Sequence, residues 1–175
     1  MATIEIRLLA KSDDRSKFSC GEPALDRFFQ HYAGQNQFKL RLAVTYVAAD
    51  AEQILGFATV SVGSIEKREL PDKKLRKRLP AYPIPVLRLA RLGVDTSAQG
   101  RGVGRALLRH VFTLALQQRD SLGCVGVVTD AKPDAMAFYD KLGFTVLEGV
   151  REGHLHGQPT PMFLDIRSIA KAVAP

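Results

Sequence analysis

Features of exported and membrane proteins are missing from this chain of 175 residues. Its two cysteines, Cys20 and Cys124, lack C-x-x-C spacing, which argues against a disulfide framework and favours a reducing compartment. No apolar run approaches the ~20 residues of a membrane span, and the first residues lack a signal-peptide pattern. We therefore expect a cytoplasmic protein that has no membrane partner.

Acidic residues are missing from the stretch 73–91, which contains seven basic residues. The whole chain carries 25 basic and 18 acidic residues, a net charge of +7, so this stretch holds the entire excess. The bases are Lys73, Lys74, Arg76, Lys77, Arg78, Arg88 and Arg91. Such a patch indicates a polyanionic partner. A solvated helix face is the alternative explanation for 73–78, and the sequence leaves it open.

Arg88 and Arg91 lie three residues apart on a predicted strand, so their side chains should point to opposite faces. One of them would face an acceptor cleft, and the other would brace the sheet or a homodimer partner. The sequence does not distinguish which arginine takes which role.

Size and composition predict one domain spanning residues 1–175, because 46% of the residues are apolar. Segments with strand and helix patterns follow one another, which indicates a mixed α/β domain. Pro80, Pro83 and Pro85 predict an extended connector into a central strand that begins at Val86. The other strands are expected at about 3–9, 43–49, 54–64, 124–129, 144–147 and 161–167, and the helices at about 22–35, 71–79, 103–119 and 133–142.

A glycine-rich loop follows the central strand and opens a helix. It reads Gln99-Gly100-Arg101-Gly102-Val103-Gly104-Arg105. The start of a helix leaves backbone N–H groups unpaired at the positive end of the helix dipole, and glycines let a bulky anion approach them. The loop lacks the Lys-Ser or Lys-Thr pair of a P-loop and the G-x-G-x-x-G spacing of a dinucleotide fingerprint. It therefore predicts a phosphate-binding site of another class.

This glycine loop, residues 99–105, fits Q-x-x-G-x-G and resembles the acyl-coenzyme A pyrophosphate loop of the GNAT family of N-acetyltransferases. A later segment, Phe138-Tyr139-x-x-x-Gly143-Phe144, resembles the second coenzyme-binding segment of that family and follows in the same order. The resemblance implies the GNAT fold, with a mixed central sheet of about six to seven strands, flanking helices and a splayed central strand pair. It also implies acetyl-CoA as the cofactor, bound by Leu92, Gly93, Val94, Gln99, Gly100, Arg101, Gly102, Val103, Gly104 and Arg105.

Further features narrow the resemblance to one branch of the family. Residues 88–95 read Arg-Leu-Ala-Arg-Leu-Gly-Val-Asp, an early Cys-Gly-x-x-x-Leu-Asp begins at Cys20, and Asp130-Ala131-Lys132 precedes the last predicted helix. With the basic segment before Pro80, these features are similar to the GNAT toxins of bacterial type II toxin–antitoxin pairs. Those enzymes acetylate the amino group of the amino acid on charged tRNA. The resemblance implies an aminoacyl-tRNA acceptor, bound through the bases of 73–91, and a ribbon-helix-helix antitoxin as a partner.

Tyr139 lies where GNAT enzymes place the general acid for the departing thiolate, so the resemblance implies that role. A phenol titrates near ~10 and a thiol near ~8.5, so a protonated tyrosine is available at neutral pH. Alternatively, Tyr139 and Phe138 only pack a helix against the sheet. No residue stands out as a general base, which suits an α-amino acceptor, because its pKa near ~7.7–8.0 leaves it partly neutral.

Two other functions stay open at this point. One is a GNAT enzyme for a protein, peptide or small-molecule amine, and the other is a non-catalytic module that binds coenzyme A or nucleic acid. A metal site is not expected, because no nearby cysteine or acid pair completes the two histidines His154 and His156.

Overall fold

A computed structural model describes residues 3–51, 53–147 and 158–174. The described strands are β1 (Glu5–Leu8), β2 (Val44–Asp50), β3 (Gln53–Ile65), β4 (Ile84–Val94), β5 (Gly126–Ala131), β6 (Thr145–Val146) and β7 (Thr160–Asp165). The described α-helices are α1 (Pro23–Arg27), α2 (Lys73–Arg78), α3 (Val103–Ser121), α4 (Met136–Lys141) and α5 (Ile166–Val173). The strands form a seven-stranded sheet in the order β1-β2-β3-β4-β5-β7-β6. The prediction of a mixed α/β fold is therefore confirmed.

The chain divides into two compact units. The first unit comprises Met1–Ser61 and Leu89–Val111, and the second comprises Val62–Arg88 and Phe112–Pro175. The expectation of a single domain over 1–175 stays a prediction. None of the described helices has the length and apolar character that crossing a membrane requires.

The first unit has an aromatic core beneath β1, β2 and β3, which pair antiparallel. The rings of Phe29 and Phe57 stack with centroids 4.4 Å apart, and Phe18 meets Phe57 edge-on at 5.5 Å. Both Phe29 and Phe57 are fully buried. Offset and edge-on aromatic pairs add stabilisation beyond the burial of their area, so this cluster anchors the helical segment that carries Phe29.

That helical segment is longer than the predicted 22–35. After α1 it continues through two π-helical stretches, Phe28–Tyr32 and Gln35–Lys39. The buried Gln37 accepts a 2.8 Å hydrogen bond from the Thr45 N–H and donates one of 3.2 Å to the Leu9 carbonyl. These contacts with Leu9, just after β1, and with Thr45 of β2 stabilise the last turns, and no local apolar period predicts them.

The second unit has an aliphatic core, and its short basic helix is confirmed. Leu75 is buried, and Leu79 packs against the core cluster, while most of the lysines and arginines of α2 are exposed. Asp72 caps the helix by accepting the N–H of Lys74 at 2.9 Å and of Leu75 at 3.4 Å. In this unit β7 pairs antiparallel with both β5 and β6.

Two boundary predictions were wrong for identifiable reasons. Pro85 lies inside β4 rather than in a connector, because the strand already begins at the buried Ile84. Proline has no backbone N–H to donate, and the strand accommodates it at its exposed second position. The last strand ends at Asp165 and not at 167, because the Asp165 carboxylate accepts the Arg167 N–H at 2.7 Å and caps α5. The helix α5 itself was not predicted.

Candidate active site

The glycine loop lies in the first unit, between β4 and α3. Gly100 and Gly102 adopt positive φ angles of +81° and +82°, which L side chains rarely adopt. Apart from the glycine itself and its two chain neighbours, no described atom lies within 4 Å of a Cβ built on Gly100 or Gly102, so the loop surface is open at both positions. The Ala106 N–H makes a helical bond to the Gly102 carbonyl at 3.0 Å. The N–H groups just before it are the ones that a helix start leaves for an anion, so the loop fits a pyrophosphate.

Two side chains hold this loop in place. The Gln99 amide donates to the carbonyls of Cys20 and Val94, at 3.1 Å each. Asp95 accepts hydrogen bonds from the Ser19 N–H and the Ser97 N–H, both at 3.0 Å. Burial raises the pKa of Asp95, but these hydrogen bonds outweigh it, and the pKa lies below its usual value. Gln99 was predicted to bind the coenzyme, and its described contacts show it bracing the loop.

Gly93 marks a tight approach on the strand that leads to the loop. A Cβ at Gly93 would lie 2.8 Å from Cε1 of Phe57, and one at Gly56 would lie 3.0 Å from the Gly93 carbonyl oxygen. Only glycine fits at these positions without movement of a neighbour. Coenzyme contacts by Leu92, Gly93 and Val94 stay a prediction, and so do those of the remaining loop residues.

The two arginines of β4 have different neighbours. The Arg91 guanidinium lies 4.0 Å from the centroid of the Phe28 ring, so it stacks on the long helical segment of the first unit. In the second unit, Arg88 forms an ion pair with Asp130, with 3.6 Å between nitrogen and oxygen. Each arginine therefore contacts a neighbour in its own unit. Which of the two faces an acceptor and which braces the sheet or a partner stays a prediction.

Tyr139 lies on α4 in the second unit, where it is buried beside two phenylalanines. Its ring centroid is 5.3 Å from that of Phe138 and 5.2 Å from that of Phe144. Burial raises the pKa of the Tyr139 phenol, and a hydrogen bond with Thr129 offsets this only in part. The phenol therefore stays protonated at neutral pH, as a general acid requires. The tight packing also fits the structural alternative, so the catalytic role stays a prediction.

A basic cleft of about 740 Å³ lies in the second unit. Its lining residues are Glu66, Lys67, Arg68, Lys73, Arg76, Lys77, Ala81, Tyr82 and Pro83. The predicted basic helix thus divides into two faces. Lys73, Arg76 and Lys77 line the cleft, whereas Lys74 and Arg78 are exposed and do not belong to its lining.

Several residues of these sites were not predicted. Tyr82 could have been noticed as an aromatic residue between two prolines, outside any amphipathic period. Asp130 and Thr129 follow one another on β5, but nothing local shows that they contact Arg88 and Tyr139. The histidines His154 and His156 lie outside the described residues.

Known acetyltransferases share sequence with most of this chain. Residues 41–146 match a family model described as an acetyltransferase (GNAT) domain. A tRNA-acetylating toxin from Mycobacterium tuberculosis is 33% identical over 141 residues, which cover 80% of this chain and 83% of the toxin.

Solved structures extend the similarity to the fold. A complex of AtaT with acetyl-methionyl-tRNAfMet superposes with a TM-score of 0.85 at 28% identity, covering 98% of this chain and 100% of AtaT. A tyrosine-to-phenylalanine variant of the AtaT toxin, bound to the C-terminus of the antitoxin AtaR and acetyl-CoA, gives a TM-score of 0.76 at 26% identity. That match covers 98% of this chain and 99% of the variant. The chain therefore shares its fold over nearly its whole length with these toxins.

Proposed function

This chain belongs to the GNAT family of acetyltransferases, and we propose that it moves an acetyl group from acetyl-CoA to the α-amino group of an aminoacyl-tRNA. The observation that carries the acceptor is the basic cleft, whose lining includes five cations and one acid. A tRNA offers such a surface a row of phosphates, whereas a small amine offers none. The tRNA-acetylating relative and the tRNA-bound AtaT structure support the same acceptor.

In this proposal, the chain would hold the coenzyme mainly through backbone contacts. The N–H groups of residues 100–105 would hold the pyrophosphate at the start of α3, and the exposed side chains of Arg101 and Arg105 would add charge. The positive φ angles of Gly100 and Gly102 permit this approach. When bound, acetyl-CoA supplies an acetyl thioester that an amine can attack.

The second unit supplies the proton in this proposal. Tyr139 would hold a proton on its phenol oxygen for the departing thiolate, because burial keeps the phenol neutral. An acceptor α-amino group with a pKa near ~7.7–8.0 is already partly neutral at pH 7. Acetyl transfer to this acceptor therefore needs no strong general base from the chain.

The proposal extends to location and partners. Aminoacyl-tRNA is used for translation, so we place the reaction in the cytoplasm, where acetylation of the amino acid would block its use. A ribbon-helix-helix antitoxin is the expected protein partner, supported by the AtaT variant bound to the C-terminus of the antitoxin AtaR. A homodimer stays a further expectation.

The test combines the purified chain with acetyl-CoA labelled in its acetyl group and with bulk tRNA. One sample contains charged tRNA and a matched sample contains the same tRNA after deacylation. We expect label to enter only the charged tRNA, and to leave with the amino acid on mild alkaline hydrolysis.

Three results would contradict the proposal in different ways. Label in the deacylated tRNA would place the acetyl group on the nucleic acid itself. Labelling of a peptide N-terminus or a small amine, with none of charged tRNA, would favour the GNAT enzyme for another amine. RNA binding without any transfer would favour the non-catalytic module.

A further inference from the structure

The side chain of Tyr82 stands out among the residues of the basic cleft. It exposes 66% of its surface, although most large apolar and aromatic side chains of the second unit are buried. A single exposed aromatic residue needs no explanation by itself. Here, however, the ring lies in the lining of a cleft that also carries Lys73, Arg76 and Lys77.

The backbone around Tyr82 is held by prolines. Pro80 and Pro83 fix their own φ angles, and a residue directly before a proline is restricted to extended conformations. Ile84, which follows, is buried at the start of β4 and anchors this segment in the aliphatic core. The aromatic ring is therefore presented from a backbone segment with few accessible conformations, which reduces the backbone entropy lost when a ligand binds.

One of the five cations that line the cleft is already paired with an acid. Arg68 pairs with Glu66 at 2.5 Å, which neutralises part of its charge. Glu66 is the single acid in the described lining, so Lys67, Lys73, Arg76 and Lys77 contribute a net positive surface around the ring. A planar apolar ring beside several cations is the combination that single-stranded nucleic acids need, because bases stack and phosphates pair with the cations.

Duplex RNA does not fit this combination, since its bases are stacked on one another and only phosphates and grooves are accessible. A peptide of aspartates and glutamates would use the cations but has no ring that could stack on Tyr82. The unpaired nucleotides at the 3′ end of a tRNA offer both. The volume of about 740 Å³ lies within the range of about 300–1,000 Å³ that is usual for sites of small ligands.

We propose that Tyr82 stacks on an unpaired base at the 3′ end of the RNA substrate, while Lys73, Arg76 and Lys77 hold the adjoining phosphates. This inference rests on the proposed aminoacyl-tRNA acceptor. It makes Tyr82 a positioning residue, which orients the aminoacyl end through the nucleotide that it holds. The base recognition is tolerant of sequence, because every base has a face that can stack.

Binding of labelled RNA to the full chain tests the proposal without any acetyl transfer. The probes are a ten-nucleotide single-stranded RNA, a polyglutamate peptide, and a blunt-ended RNA hairpin that is closed by a non-nucleotide linker and has the same number of phosphates as the single strand. Tyr82→Ala should weaken single-strand binding by roughly five- to 150-fold, the range measured for loss of one stacked base. Tyr82→Phe should retain wild-type affinity because it keeps the ring, and hairpin binding should change little in either variant.

Two results would overturn the stacking role. One is equal single-strand affinity for Tyr82→Ala and the wild type. The other is equal loss for the single strand, the hairpin and a polyglutamate peptide, which would indicate a general effect on the cleft or an acidic-peptide site. If the chain acetylates charged tRNA while Tyr82→Ala binds the single strand normally, only this inference fails. If Tyr82 governs single-strand binding but no charged tRNA is acetylated, only the proposed acceptor fails.

Discussion

The first unit and the second unit recognise their proposed ligands in different ways. The first unit would bind its ligand with backbone groups, namely those of a glycine loop with two positive φ angles and of the helix start that follows it. Side chains such as Gln99 hold this loop in place by hydrogen bonds to backbone carbonyls. The second unit offers side chains: a buried phenol and a cleft lined by lysines, arginines and a tyrosine. Backbone recognition depends on conformation, whereas side-chain recognition depends on which residue occupies each position. The two units should therefore respond differently to substitution.

The largest expected effect is the loss of coenzyme binding in Gly102→Glu. The new side chain would force an L residue into a left-handed conformation and bring a negative charge to the phosphate site. At a concentration about a hundredfold above its Kd, acetyl-CoA should stabilise the wild type by about 2.7 kcal/mol. We expect no shift of Tm with acetyl-CoA in the variant.

Gly123→Ala is the matched control for backbone strain. Gly123 also has a positive φ, +102°, but lies in the second unit. This variant should lose stability and yet keep the full Tm shift with acetyl-CoA. A normal shift in Gly102→Glu would remove the glycine loop from the coenzyme site.

Next in size is the effect of Tyr139→Phe on turnover. The substitution keeps the ring between Phe138 and Phe144 and removes the proton that the thiolate would take. We expect kcat to fall by about tenfold to a thousandfold with acetyl-CoA binding retained. In the wild type, ionisation of this phenol should reduce the rate only at a pH above the ordinary range for tyrosine, because burial raises its pKa.

Tyr32→Phe provides the control, because Tyr32 is half exposed and removing its hydroxyl should leave kcat unchanged. Wild-type turnover in Tyr139→Phe would show that another group protonates the thiolate. Unfolding of that variant would instead support the packing role of Tyr139.

What could be predicted from sequence depends on how far apart along the chain the contacting residues lie. The glycine loop could be predicted because the spacing of neighbouring residues alone identifies Gly100 and Gly102. The basic helix with its buried Leu75 could be predicted for the same reason. The hydrogen bonds of Gln37 connect it with Leu9, 28 residues away, and with Thr45, eight residues away, and they stabilise the last turns of the long helical segment. A local pattern carries no information about such contacts.

The same limit applies within the candidate sites. The sequence predicts that α2 carries five cations. Which three of them line the cleft depends on where the segment around Tyr82 lies. Likewise, only the structure shows that Arg88 contacts Asp130 and that Arg91 contacts Phe28. Sequence therefore predicted the candidate residues better than their partners.

A matched pair of double variants on α2 tests the side-chain character of the second unit. Lys73→Ala/Lys77→Ala removes two cations from the cleft, and Lys74→Ala/Arg78→Ala removes two from the same helix outside it. Both pairs lose the same charge. For single-stranded RNA, the cleft pair should reduce the slope of log K against log salt by about 1.4, since each phosphate contact contributes about 0.7. The second pair should change it much less, and equal changes would mean that the helix acts only through its total charge.

The smallest effect is expected for Arg101→Ala/Arg105→Ala, on the coenzyme side of the comparison. Both arginines are exposed, and exposed ion pairs contribute only about 0–1 kcal/mol each. If backbone N–H groups carry the pyrophosphate, the Kd for acetyl-CoA should rise by at most roughly thirtyfold. The rise should shrink as salt screens the lost charges. Calorimetric titration of both proteins at low and high salt measures this. A salt-independent loss as severe as that of Gly102→Glu would show that side chains, and not backbone, hold the coenzyme in the first unit.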